Sequence, residues 1–236
     1  MQLLHERMSA RELVAMDGVR LWSVELLQPA DVVEQLVERL SLDERRRALA
    51  LRRAPERRRF VVARAMLRSI LAECTGIAGE DLTFSYGTNG KPSLDLPGPF
   101  DPPFFNVSHS RDLALVAVSP AHEVGVDVEW VAGSSAIENI VRRYFSHPER
   151  TKLDAAPDAV RRRIFFRIWV RKEAYLKGRG EGISQRIQET DFSLLALGDE
   201  RDAGIPEREQ DEWLVRDLTG LPGDYVASLA VARRAP

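Results

Sequence analysis

The chain has 236 residues, 44% of them hydrophobic and 30% charged: enough for one large domain or two smaller ones, and too apolar for disorder. A formal charge of -2 argues against coating nucleic acid or an anionic membrane, and Cys74, the only cysteine, excludes an intrachain disulfide and a thiolate zinc site. Glu6, Arg7, Arg11 and Glu12 leave no apolar signal core, and no run approaches the roughly 18 apolar residues of a spanning helix, so a cytoplasmic chain without membrane contact is expected.

In chain order, Leu21-Trp22-Ser23-Val24 alternates as a short strand. Arginines then crowd the segment from Arg45 to Arg68, namely Arg45, Arg46, Arg47, Arg52, Arg53, Arg57, Arg58, Arg59, Arg64 and Arg68. Local basic density in a nearly neutral chain suits a compact anionic ligand better than a long polyanion, although each arginine alone also reads as a solvated helix face. Arg57 to Glu73 has helical period, with Phe60, Val61, Ala65, Leu67, Ile70 and Leu71 on a broad apolar face. Thr83 to Tyr86 reads as a strand closed by the turn Gly87-Thr88-Asn89-Gly90, and the proline-rich stretch Leu94 to Pro103 as a surface loop. Leu113 to Val118 is a buried-strand run, and Val160 to Lys177 is a second long helix with Phe165, Ile168, Trp169 and Leu176 inward. Strands at Glu212 to Arg216 and Tyr225 to Ala230 complete an α+β fold with mostly antiparallel sheets.

Three features recur at a nearly constant offset. Val24 and Val128 lie 104 residues apart in matching strands, and Arg57-Arg58-Arg59 is repeated 104 residues on at Arg161-Arg162-Arg163. Leu40-Ser41 with Glu44-Arg45 is repeated at an offset of 105 by Phe145-Ser146 with Glu149-Arg150. Shared order and spacing predict two similar halves, 1–120 and 121–236, related by a pseudo-twofold axis, each with a long helix. Clefts between such units are favoured ligand sites.

Four short motifs can carry chemistry. Asp127 and Glu129 stand at i and i+2 of a strand, so both carboxylates share one face; they read either as hard-cation ligands or as solvated acids on a strand edge. Glu173 and Lys177 share a helix face, with Lys172 adjacent; this is either a metal-and-phosphate pair or an ordinary helix salt bridge. Asn106-Val107-Ser108-His109-Ser110 offers donors to a phosphate and lacks the Gly-x-Ser-x-Gly turn of a hydrolase. Asn89-Gly90-Lys91-Pro92 is a tight turn presenting one lysine.

Taken in order, Gly90-Lys91-Pro92, Phe105 to Ser110, Gly125-Val126-Asp127-Val128-Glu129 and Trp169 to Lys177 resemble the 4'-phosphopantetheinyl transferases, in particular the longer Sfp-type class. The motifs span Arg45 to Ile183.

That resemblance implies transfer of phosphopantetheine from coenzyme A to a serine of an apo acyl or peptidyl carrier protein, with release of 3',5'-ADP. Asp127, Glu129 and Glu173 would hold magnesium, or manganese in its place, against the coenzyme A pyrophosphate. Ser108 and His109 would contact the pyrophosphate, Lys177 would neutralise it, and Lys172 joins the cofactor contacts. Lys91 and Pro92 would line the adenine pocket, while Arg47 and Arg59, with Arg64 beside them, would take the 3'-phosphate region. Glu44 stands where some relatives carry a basic residue. Glu173 is the expected base, with Lys177 and His109 as stabilising groups. The first half would hold the nucleotide end and the second the metal and catalytic helix, in a monomer. The alternative is an inactive coenzyme A or carrier-binding module. A nucleic-acid enzyme is poorly supported, because no aromatic platform interrupts the arginine run before Phe60.

Overall fold

The computed structural model describes residues 10–16, 18–96, 101–131, 137–183, 185–193, 207–210 and 212–233. A hairpin of β1 (Ala10–Met16) and β2 (Val19–Glu25) leads into three helices, α1 (Ala30–Val37), α2 (Leu42–Ala50) and α3 (Ala54–Thr75). A small hairpin, β3 (Thr83–Tyr86) and β4 (Pro92–Asp95), precedes β5 (Phe104–Ser110), β6 (Leu113–Ser119) and β7 (Val124–Trp130). Helices α4 (Ile137–Tyr144), α5 (His147–Asp154) and α6 (Asp158–Arg179) follow, then β8 (Glu207–Gln210), β9 (Trp213–Leu218) and β10 (Tyr225–Ala232). The strands form two antiparallel four-stranded sheets, β1-β2-β6-β5 and β7-β10-β9-β8, beside the β3-β4 pair.

The recurrences seen in the sequence correspond to recurring local structure. Strand order β2-β6-β5 in one sheet is matched by β7-β10-β9 in the other. Ser41 and Glu44 form a reciprocal capping box at the start of α2, and Ser146 and Glu149 form the same box at α5. Arg45 Nε donates to the Leu40 carbonyl at 3.0 Å, and Arg150 Nε to that of Phe145 at 3.1 Å. Both long helices end on a left-handed glycine, Gly76 at φ 73° and Gly180 at φ 66°, a conformation that carries no Cβ penalty in glycine.

Each buried capping glutamate is neutralised from the long helix that packs on it. Arg68 Nε lies 2.7 Å from Glu44, with Arg64 on the other oxygen, and Lys172 Nζ lies 2.9 Å from Glu149. A buried carboxylate without such a partner costs several kcal/mol, roughly 3–5 when one member is removed. These cations are therefore structural members of the fold.

Strand alternation sorts the core. Val62, Met66 and Ile70 of α3 cover Trp22, Val24 and Val116 on one face of the first sheet. Leu21 and Leu115 on its other face meet Val126, Val128 and Leu229 of the second sheet. Helix α6 closes the outer face of that second sheet, through Ala174 and Leu176 near its end and Ile168 and Val170 further back. With both faces covered, β6 is buried along its whole length, which explains its unbroken apolar sequence.

Two expectations are corrected in detail. Leu94 belongs to β4: it pairs with Phe84 and is buried against the first core, so the proline-rich loop begins after it, and residues 97–100 lie outside the described residues. Glu212 is a turn residue at φ 69°, so β9 starts at Trp213. Strands β1, β5 and β8 and helices α1 and α4 are not among the elements expected from the sequence.

Candidate active site

Strand β7 is the platform. Its even-numbered valines face the core between the sheets, which directs Gly125, Asp127 and Glu129 toward α6. Helix and strand touch directly at Gly125, where an added Cβ would lie 2.0 Å from the Ala174 carbonyl oxygen and 2.2 Å from Gly178 N. Gly178 is equally confined, with a Cβ meeting the Trp213 ring at 2.4 Å. Two glycines thus let backbones approach to where Glu173 and Lys177 border Asp127.

The result is an open cavity of about 360 Å³ lined by Val107, Ser108, His109, Asp127, Glu129, Glu173 and Lys177. Asp127 is buried. Its Oδ1 accepts from Ser108 Oγ at 2.8 Å and from Lys177 Nζ at 2.5 Å, while its Oδ2 has no partner among the described residues. Glu129 Oε2 accepts from Ser110 Oγ at 2.8 Å. Glu173 is half-buried and has no hydrogen-bond partner among the described residues.

Burial dominates the electrostatics. It raises the Asp127 carboxyl above its ordinary range, against the opposing pull of Lys177 and Ser108. Burial also raises Glu129, with Ser110 opposing and the charge of Asp127 adding to the rise. Glu173 is pushed up to about 7, first by burial and then by Asp127, with Lys177 opposing. Three acids crowd one cavity, and one lysine only partly balances them.

That donor set fits a hard divalent cation. It offers carboxylate oxygens alone, includes one buried oxygen with no partner, and lies open to substrate phosphates. Among the described residues, however, no group of three His, Cys, Asp or Glu side chains stands ready-made around a single ion. Lys177 holds the positive charge at Asp127 Oδ1.

The remaining expected site residues divide into separate places. His109 is exposed on the cavity rim. Ser108, expected on the pyrophosphate, is turned inward: it donates to Asp127 and accepts from Val128 N at 3.3 Å and Lys177 Nζ at 2.9 Å, which uses its whole hydrogen-bonding capacity. Lys172, expected among the cofactor contacts, is buried away from the cavity on Glu149 and the carbonyls of Ile187 and Thr190, at 2.9 and 2.7 Å. Its place in the fold matches that of Arg68. Arg47 and Arg64 meet at the Tyr86 hydroxyl, at 3.3 and 2.9 Å. Arg64 is also paired with Glu44, and Arg59 with Asp112 of the β5–β6 turn at 2.7 Å. Lys91 reaches across to α6, donating to the Gly178 carbonyl at 2.5 Å and pairing with Glu123, while Pro92 opens β4. Lys91 therefore docks the small hairpin on the negative end of the α6 dipole.

Four residues have roles that the sequence does not show: Gly125 and Gly178 set the helix approach, and Asn106 and Ser110, expected as phosphate donors, instead fasten β5 to β7. The period-two pattern Asn106, Ser108, Ser110 was the available signal for the last two.

Two family models match the chain: "4'-phosphopantetheinyl transferase superfamily" over residues 123–230 and "4'-phosphopantetheinyl transferase, N-terminal" over residues 28–121. The 4'-phosphopantetheinyl transferase HetI of Nostoc sp. is 38% identical over 217 residues, 92% of this chain and 88% of that protein. The phosphopantetheinyl transferase of Thraustochytrium sp. is 28% identical over 92% of this chain and 80% of its own length. The 4'-phosphopantetheinyl transferase psf-1 of Bacillus pumilus is 32% identical over 73% of this chain and 77% of its own. The chain therefore belongs to the 4'-phosphopantetheinyl transferase superfamily, enzymes that move phosphopantetheine from coenzyme A onto carrier proteins.

Proposed function

We propose that this transferase is magnesium-dependent, with Asp127, Glu129 and Glu173 holding the cation against the coenzyme A pyrophosphate and manganese able to replace it. The observation that carries this reading is that buried Asp127, whose Oδ2 has no hydrogen-bond partner among the described residues, lines one cavity with Glu129, Glu173 and Lys177. When bound, the cation would neutralise charge on the phosphoryl oxygens.

The protein's own groups have distinct tasks. The carrier serine oxygen bonds to the pantetheine-side phosphorus as the bond to 3',5'-ADP breaks, and the leaving phosphate oxygen keeps the electron pair. Glu173 takes the serine proton, directly or through a water, as general base; its rise to about 7 belongs to the metal-free site. Lys177 and His109 place positive or donating groups where negative charge spreads in the transition state. Arg47, Arg59 and Arg64, with Lys91 and Pro92, are assigned to the nucleotide end of coenzyme A. Arg59 and Arg64 must then exchange a carboxylate partner for phosphate.

The proposed acceptor is the serine of an acyl or peptidyl carrier protein. The chain would work as a cytoplasmic monomer, residues 1–120 serving the nucleotide and 121–236 the chemistry. Among the described residues no helix is long and apolar enough to cross a membrane. The test is incubation with coenzyme A, magnesium and apo carriers of both kinds, read by mass spectrometry. Gain of phosphopantetheine that disappears with chelator supports the reading, and transfer that persists after complete removal of divalent ions refutes it.

A further inference from the structure

The two four-stranded sheets meet at β5 and β7 through side chains where a backbone ladder would otherwise run. Strand β7 pairs by backbone with β10, and β5 with β6. On its other edge β7 directs alternate N–H groups at β5. Val126 N donates to Asn106 Oδ1 at 3.0 Å, Val128 N to Ser108 Oγ at 3.3 Å, and Trp130 N to Ser110 Oγ at 3.2 Å.

The two serines relay these bonds onward. A serine hydroxyl has one proton to donate and two lone pairs. Because backbone N–H groups and the Lys177 ammonium can only donate, each serine's own proton goes to the carboxylate beside it. Those bonds are Ser108 to Asp127 Oδ1 and Ser110 to Glu129 Oε2, both 2.8 Å. Each acid is thus fixed by one oxygen, and the other accepts no hydrogen bond among the described residues. The arrangement ties the aim of both carboxylates to the register between the two sheets.

We propose that Ser110 is a positioning residue for the transfer reaction: it holds Glu129 by Oε2 so that Oε1 is presented to the divalent cation. The assignment rests on the metal reading above. Ser108 does the same for Asp127, but its removal also breaks the Lys177 contact, so Ser110 gives the cleaner test. Partners that orient metal ligands are worth roughly 10–100-fold in metal affinity.

The experiment measures manganese affinity in the presence of coenzyme A for wild type, Ser110→Ala, Ser110→Thr and Asp127→Asn, with thermal melting of each. Wild type should bind one ion that Asp127→Asn loses. Ser110→Ala should bind about 10–100-fold more weakly, and Ser110→Thr, which keeps the hydroxyl, should stay near wild type. In turnover, Ser110→Ala should raise the magnesium concentration needed for half-maximal rate more than it lowers kcat. A purely structural role would lower the melting temperature of Ser110→Ala and leave ion affinity unchanged, and that result overturns the proposal. So does a threonine variant as weak as the alanine one. No ion bound by wild type, or full binding by Asp127→Asn, instead sinks the metal reading itself and takes the assignment with it.

Discussion

Replacing Gly125 by alanine tests the contact that assembles the site. The new Cβ would lie 2.0 Å from the Ala174 carbonyl oxygen, whereas ordinary contact begins near 3.4 Å. Strand and helix must therefore separate by about 1.4 Å, the difference between those distances. Glu173 and Lys177 flank that point on α6, so the 2.5 Å bond from Lys177 to Asp127 would stretch to about 3.9 Å, beyond hydrogen-bonding range. Overpacking of this kind costs about 1–3 kcal/mol, worth roughly 2–4 °C per kcal/mol in a chain of this size. Misplacing reacting groups by about 1 Å costs on the order of 100-fold in rate. The assay is the initial rate of holo-carrier formation at saturating coenzyme A, paired with a melting curve. Gly220→Ala is the control: it strains the backbone, at φ 74°, but its Cβ meets nothing within 4 Å, so turnover should persist. A Gly125→Ala enzyme with wild-type turnover and melting temperature would refute the reasoning.

Other expectations follow from the same geometry. Lys172→Met should destabilise by roughly 3–5 kcal/mol by leaving Glu149 unpaired, while the KM for coenzyme A in the folded enzyme stays unchanged. Arg68 and Arg64 hold Glu44 below the ordinary carboxylate range, against the opposing effect of burial. Its contribution to stability is therefore present above the unfolded value, about 4.3, and is lost as pH falls through the folded one. The melting-temperature gap between wild type and Glu44→Gln should shrink on acidification through that window. Glu173 behaves in the opposite sense. Raised to about 7, it binds more proton folded than unfolded, so the metal-free protein should lose stability as pH rises from about 4.3 to about 7. Thermal scans with and without magnesium check this, the ion restoring stability at the upper end. Glu173→Gln should lose at least about 100-fold in turnover if it removes the base. Normal turnover with coenzyme A bound would end that role.

Local pattern made much of this legible. Alternation in Val126-Asp127-Val128-Glu129 placed both acids on one strand face, and helical spacing placed Lys177 with Glu173. The structure brings all four to one cavity. The same helical geometry turns Lys172 about 100° from Glu173, and the repeat offset aligns it with Arg68, which sits among apolar neighbours. Those two clues together point to a structural lysine, and adjacency to Glu173 obscured them. Glu44 looked out of place beside the arginines because it was weighed as a ligand contact. The Ser41-x-x-Glu44 spacing carries the capping signature, and the pairing with Arg64 and Arg68 follows from its burial. What no local pattern holds is which strand lies beside β5. The alternating Asn106, Ser108 and Ser110 could be read as polar and same-faced, but their task depends on β7, some 20 residues further along the chain and in a different sheet.

Placing the cation at these three carboxylates is the central claim, and it predicts a stoichiometry. Manganese bound per chain, measured by electron paramagnetic resonance in the presence of coenzyme A, should be one for wild type and none for Asp127→Asn, whose shape is nearly the same. Equal binding by both proteins would contradict the account.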